Sequence, residues 1–198
     1  MRLNRWEMLC MNNPPRKFLM RFVELVRFQT LLAESGIDLS GKRILDVACG
    51  SGYSTRLLKQ TFSPCHLAAF DLMDEQVALA KKEPADLLFQ GDLINLALED
   101  ASFDAAFGFG ILHHVLDWRS AAAEIVRILP PGGVLLLEEP HGPAGQFFRK
   151  WVRFAIPREG AFSFEELKKE MDRLGMELLG QKTIWFAPFQ AFLWQKRF

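Results

Sequence analysis

Five short apolar runs, RILDVA, HLAAFD, ADLLFQ, FDAAFGF and GVLLLEE, recur between residues 43 and 139 with helix-forming stretches between them. Their apolar residues sit side by side instead of alternating with polar ones, so both faces of each strand expect burial. Strands buried on both faces and joined through helices belong to a parallel sheet wound in both directions from its middle. The intervening patterns are STRLLKQTF, DEQVALAKK opened by Asp74, and SAAAEIVRIL ended by PPGG. Ser163 and Glu166 have the spacing of a capping box, with Gly175 closing that helix. The tail MELLGQKTIWFAPFQAFLWQKRF reads as two further strands turning near Pro188, the last one antiparallel. The prediction is a doubly wound, Rossmann-like α/β fold with a seven-stranded, mostly parallel sheet and helices on both faces.

Ahead of the sheet, Asn13 before Pro14 and Pro15 offers an N-cap with proline at the helix start, and Gly36 offers a stop, which predicts a long helix over 14–35. Phe18, Phe22, Leu25 and Val26 recur at helical spacing and are expected to dock on the core. No repeat or linker interrupts the 198 residues, 49% of them hydrophobic, so one domain over 1–198 is expected.

Charge and cysteine usage narrow the function. Lys+Arg and Asp+Glu each total 24, which gives no overall attraction to a nucleic acid. Cys10, Cys49 and Cys65 are too few and scattered for a disulfide framework, and none forms a CxxC pair. No apolar run reaches the roughly 20 residues of a membrane span. MRLNRWEMLC carries charges where a secretory leader would be apolar, so a cytoplasmic location is expected.

The chemistry centres on ILDVACGSGYST, residues 44–55, where the first strand turns into a helix through Gly50 and Gly52. Glycine there lets the main chain take backbone angles other residues avoid and approach a ligand closely. Asp71 follows about twenty residues on, at the end of the second strand, the spacing at which a carboxylate takes the hydroxyls of an adenosine ribose. GSGYST lacks the third glycine of a dinucleotide fingerprint and the Lys-Ser/Thr of a P-loop, which weakens NAD and ATP readings.

From Arg43 to Pro140 the chain resembles the class I S-adenosylmethionine-dependent methyltransferases, with DVACGSG similar to the quinone-biosynthesis branch. The resemblance puts Ala48, Gly50 and Gly52 at the three alternating glycines of the family's first motif, Ala48 being the departure. It implies that Asp46 supports that loop and that Asp71 binds the ribose. It also implies that Leu72 and Met73 pack on the adenine, that Asp92 and Leu93 of QGDL receive its amino edge, and that Gly108 to Gly110 face the methionine part. The cofactor implied is S-adenosylmethionine, with S-adenosylhomocysteine as product. Cys49 is expected to be a small residue in a tight place, without chemistry.

Methyl transfer from a sulfonium needs alignment, and a base where the acceptor carries a proton. His113, His114 and His141 lie near the ligand edge of the sheet and are the candidate bases, while His66 is expected to be structural. Clustered oxygen ligands for a metal are not apparent, and the Asn/Asp-Pro-Pro-aromatic motif of amide and nucleobase N-methylation is missing after the fourth strand. A small, apolar or aromatic acceptor methylated on oxygen or carbon is the leading expectation. Segment 142–162, where Phe147, Phe148, Trp151, Phe154 and Phe162 interleave with Arg149, Lys150, Arg153 and Arg158, is expected to cover it. The alternatives are an inactive protein that binds or senses S-adenosylmethionine while docking a partner, and an NAD-linked oxidoreductase.

Overall fold

The computed structural model describes residues 13–140, 162–184 and 189–198. The strands are β1 (Arg43–Val47), β2 (His66–Asp71), β3 (Leu87–Gln90), β4 (Ala105–Phe109), β5 (Val134–Pro140), β6 (Met176–Ile184) and β7 (Phe189–Lys196). They form one sheet in the order β3-β2-β1-β4-β5-β7-β6. β1 to β5 pair in parallel, whereas β7 runs antiparallel to both β5 and β6. The winding reverses between β1 and β4, so the loops after these two strands flank a crevice at the carboxyl edge, where an open α/β sheet binds its ligands.

Alternation along each strand divides the core into two layers. Leu45, Val47, Ala106, Leu135 and Leu137 pack with Trp118, Ile125, Leu167 and Met171 of α5 (Trp118–Arg127) and α6 (Phe164–Arg173). Ile44, Leu67, Phe107 and Leu136 pack on the opposite face with Leu25, Phe28, Leu31 and Leu57. These come from the N-terminal helical run and from α3 (Tyr53–Phe62). α4 (Asp74–Ala80) follows β2. Ser163 and Glu166 form the reciprocal cap of α6, and Gly175 closes the helix with φ +81°.

The N-terminal run has three parts: α1 (Pro14–Leu19), a π-helical turn (Met20–Glu24) and α2 (Leu25–Glu34). Asn13 caps it, its side chain accepting the Arg16 amide at 2.8 Å. The docked face differs from the one the spacing predicts. Leu25, Phe28, Leu31 and Leu32 are buried, while Phe18, Phe22 and Val26 remain exposed. A π turn holds an extra residue, so the face upstream of it rotates away from the one downstream, and a single 3.6-residue period cannot describe both. β3 also departs from the expectation of a strand buried on both faces. It is the edge of the sheet, and Leu87 is exposed. The expected turn near Pro188, and His141 with most of segment 142–162, lie outside the described residues. Phe162 is described, and it is core, its ring 4.6 Å from that of Trp118 and not at a ligand wall.

Candidate functional site

A cavity opens along the carboxyl ends of β1, β2, β3 and β4. Its floor is the turn after β1. Ala48, Gly50 and Gly52 all have positive φ, at +53°, +55° and +83°. Alanine in this left-handed region carries strain of about 1 to 2 kcal/mol that glycine would avoid. A side chain at Gly50 would meet no protein atom within 4 Å, whereas one at Gly52 would lie 2.7 Å from Glu83 Cγ and 3.1 Å from the Ala80 backbone. Gly50 therefore bares its backbone to the cavity, and Gly52 lets α3 pack against α4.

Two aspartates hold this turn from different sides. Asp46 is fully buried, and its Oδ2 accepts the hydroxyls of Ser54 at 2.7 Å and Thr55 at 2.6 Å, tying β1 to the first turn of α3. Its Oδ1 has no partner among the described residues, and burial raises its pKa to about 7 against the pull of the two hydroxyls. Asp71 Oδ2 accepts the Gly50 amide at 2.9 Å and Oδ1 the Met73 amide at 2.9 Å. Burial raises the Asp71 pKa, opposed by these backbone amides.

Ala48, Gly50, Asp71, Leu72, Met73, Asp92, Leu93, Gly110 and His114 all line the one cavity. Asp92 has local work as well, its Oδ1 accepting the Ile94 amide at 3.2 Å. Asp46, Gly52, Gly108 and His113 do not line it. Gly108 is a packing position, where a Cβ would fall 2.8 Å from Leu137 Cδ1. Cys49 reaches the cavity, but burial pushes its thiol pKa well up, leaving it protonated.

The turn after β4 sets the two histidines apart. Glu139 is buried, and its carboxylate accepts the amides of Ile111, Leu112 and His113 at 3.0, 2.8 and 3.3 Å, and pairs with His113 Nδ1 at 2.8 Å. His113 is thereby a clamp on the loop. His114, its ring 4.0 Å from that of His113, lines the cavity, while its Nδ1 is buried and has no partner among the described residues. Burial, then the neighbouring His113, lowers its pKa to about 3, so it is a neutral imidazole.

Several lining residues escape the sequence reading. Gln76 is buried at the start of α4, and Tyr53 sits at the first position of α3. Arg16, Lys17 and Met20 reach in from the N-terminal helix, with Lys17 Nζ 5.4 Å from the centre of the Tyr53 ring. Arg16 bonds Glu24 and the Phe109 carbonyl. Behind it Glu138, fully buried, has neither carboxylate oxygen hydrogen-bonded among the described residues, and burial and the nearby Glu24 push its pKa well up. The basic residues of MNNPPRKFLMRF were the available signal, but only the three-dimensional return of the helix shows which of them face inward.

A family model described as "Methyltransferase domain" matches residues 45–137. The chain is 36% identical over 100 residues to phthiotriol/phenolphthiotriol dimycocerosates methyltransferase of Mycobacterium tuberculosis, covering 49% of this chain and 37% of that protein. It is 35% identical over 141 residues to demethylmenaquinone methyltransferase of Deinococcus radiodurans, covering 65% and 57%. The chain thus spans between about two fifths and three fifths of the length of these curated relatives. Among solved structures, the Haloferax volcanii protein in complex with the Trm112 methyltransferase activator superposes over the whole of both chains with a TM-score of 0.77 at 17% identity, a likeness of fold.

Proposed function

We propose that the chain is a methyltransferase that transfers a methyl group from S-adenosylmethionine to a small, apolar acceptor, on oxygen or carbon, a reading that the match of residues 45–137 to a methyltransferase-domain model supports. The observation that carries the proposal is the single cavity in which the bare Gly50 turn, Asp71 and Asp92 meet at one end, and Gly110, Ile111, Val115 and His114 at the other.

The residues fit an adenosyl group. The space over Gly50 is a cradle that a Cβ would fill. The Asp71 carboxylate spends two lone pairs on Gly50 and Met73 amides and keeps others for ribose hydroxyls. Leu72, Met73 and Leu93 would flank the adenine, and Asp92 would accept from its amino group. When bound, the cofactor supplies an electrophilic methyl on an already charged leaving group.

What the protein's own residues add is alignment and the exclusion of water. Glu139 fixes the 111–114 turn, and that turn presents Ile111, His114 and Val115 as an acceptor wall. His114, a neutral imidazole on the cavity wall, would accept a hydrogen bond from an acceptor hydroxyl through Nε2. One relative carries a quinone acceptor in its name, demethylmenaquinone, which supports an apolar quinone-type acceptor here. An inactive binding protein is the weaker reading because the cavity continues beyond the residues assigned to the cofactor.

Calorimetry with S-adenosylhomocysteine should give a micromolar dissociation constant, on the order of −8 kcal/mol. Radiolabelled methyl transfer to a panel of phenols and quinols should then identify the acceptor class. Binding of NAD without binding of the adenosyl ligand would overturn the assignment.

A further inference from the structure

Phe18, Phe22 and Val26 fall four residues apart on the N-terminal helical run and face solvent, 59%, 55% and 42% exposed. The two phenyl rings touch, with centroids 4.7 Å apart. Apolar side chains gathered in one exposed stripe, unlike ones scattered singly, mark a surface that something else covers.

The charges beside the stripe say what that is. Lys17, Arg21 and Arg27 lie on the same turns, and none has an ion pair among the described residues. Arg21 sits over the Phe22 ring at 5.5 Å. Glu24 is the one acid between residues 13 and 27, and it is buried and bonded to Arg16. The stripe is therefore edged by uncompensated cations on a chain whose total charge is zero. A second copy of this face would bring like charges together. An apolar stripe with a basic border instead complements a bilayer whose headgroups are anionic.

We propose that the N-terminal helix docks on an anionic lipid surface, with Phe18, Phe22 and Val26 entering the acyl boundary and Arg21 and Arg27 meeting the headgroups. Lys17 and Met20 of the same helix line the cavity, so docking brings one cavity wall to the lipid boundary, from which an apolar acceptor can be drawn. That last step rests on the function proposed above, while the docking does not. The mode is peripheral, as no described helix is long and apolar enough to cross a membrane.

Co-sedimentation with phosphatidylcholine vesicles, with and without phosphatidylglycerol, tests it. Binding is expected to the phosphatidylglycerol vesicles and to weaken as salt is raised. Phe18→Ser with Phe22→Ser should lower partitioning on the order of tenfold or more, and Arg21→Gln with Arg27→Gln about tenfold, with a flatter salt response. Both double variants should keep the wild-type affinity for S-adenosylhomocysteine. Absence of vesicle binding, equal binding to both compositions, or wild-type partitioning of the phenylalanine variant overturns the docking. So does a dimer that those substitutions dissociate, since it assigns the face to a second copy. Vesicle binding without any affinity for S-adenosylhomocysteine sinks the enzyme reading and leaves the docking standing.

Discussion

The Asp71 carboxylate accepts the backbone amide of Gly50 at 2.9 Å, so the acid at the end of β2 braces the glycine turn at the end of β1. One side chain thus shapes the cavity floor and faces the space above it. Its replacement should act on ligand affinity through both routes.

Asp71→Ala is expected to weaken S-adenosylhomocysteine binding by about 2 to 3 kcal/mol, since charge-assisted hydrogen bonds are lost and the Gly50 amide is left without its acceptor. Asp71→Asn, which keeps an acceptor oxygen for one of the two amides, should lose less. Calorimetry on folded variants reads both. Wild-type affinity in Asp71→Ala would move the ribose site elsewhere.

The two glycines of the turn should separate binding from stability. Gly50→Ala places a methyl in open cavity at φ +55°. It should lower the unfolding free energy by about 1 kcal/mol and weaken the adenosyl ligand at least as much. Gly52→Ala collides with Glu83 and the Ala80 backbone and should destabilise the fold by several kcal/mol. Urea unfolding beside ligand titration shows whether the two effects part in this way. Equal losses of stability in both variants would contradict it.

Asp46 gives the fold a pH dependence of known sign. The folded state holds its proton up to about pH 7, and the unfolded chain releases it near 3.8. Its contribution is complete below the unfolded value and is lost as pH rises through the folded one, on the order of 4 kcal/mol across the window. Glu138, raised for the same reason, acts in the same direction. Asp46→Asn keeps an oxygen for Ser54 and Thr55 while removing the titration. Its stability should therefore fall less between pH 4 and pH 8 than that of the wild type, and an unchanged slope would assign the dependence to other groups.

Much of this was legible in the chain. Each of β1, β2, β4 and β5 is an apolar run closed by a turn residue, and both layers of the core follow from their alternation. The Gly50 turn and Asp71 were legible together because the β1-to-β2 crossover fixes their separation. The docked face of the N-terminal helix was not, because the π turn at Met20–Glu24 changes the period partway along. The difference between His113 and His114 was also hidden. It depends on Glu139, which lies twenty-six residues away and whose side chain happens to leave β5 on the side of that loop.

His114 decides how far acid–base chemistry enters the reaction. With a pKa lowered to about 3, its folded form stays neutral where the unfolded chain would take up a proton. The stability this group contributes is thus present above about pH 6.5 and lost as pH falls below it, opposite in sign to Asp46. Its ring resonances should not titrate between pH 5 and 8 by NMR, and kcat should show no limb from it in that range. A group so weakly basic serves the acceptor as a hydrogen-bond partner. His114→Phe should then lower kcat/KM for a hydroxyl-bearing acceptor by about tenfold, the value of one lost hydrogen bond, and leave S-adenosylhomocysteine affinity close to wild type. A fall of a hundredfold or more in kcat, together with an acidic limb near pH 6 that the variant abolishes, would instead make His114 the general base. It would also mean that the bound acceptor raises its pKa, by supplying a hydrogen-bond acceptor or a negative charge that favours the protonated ring over the burial that now holds it neutral.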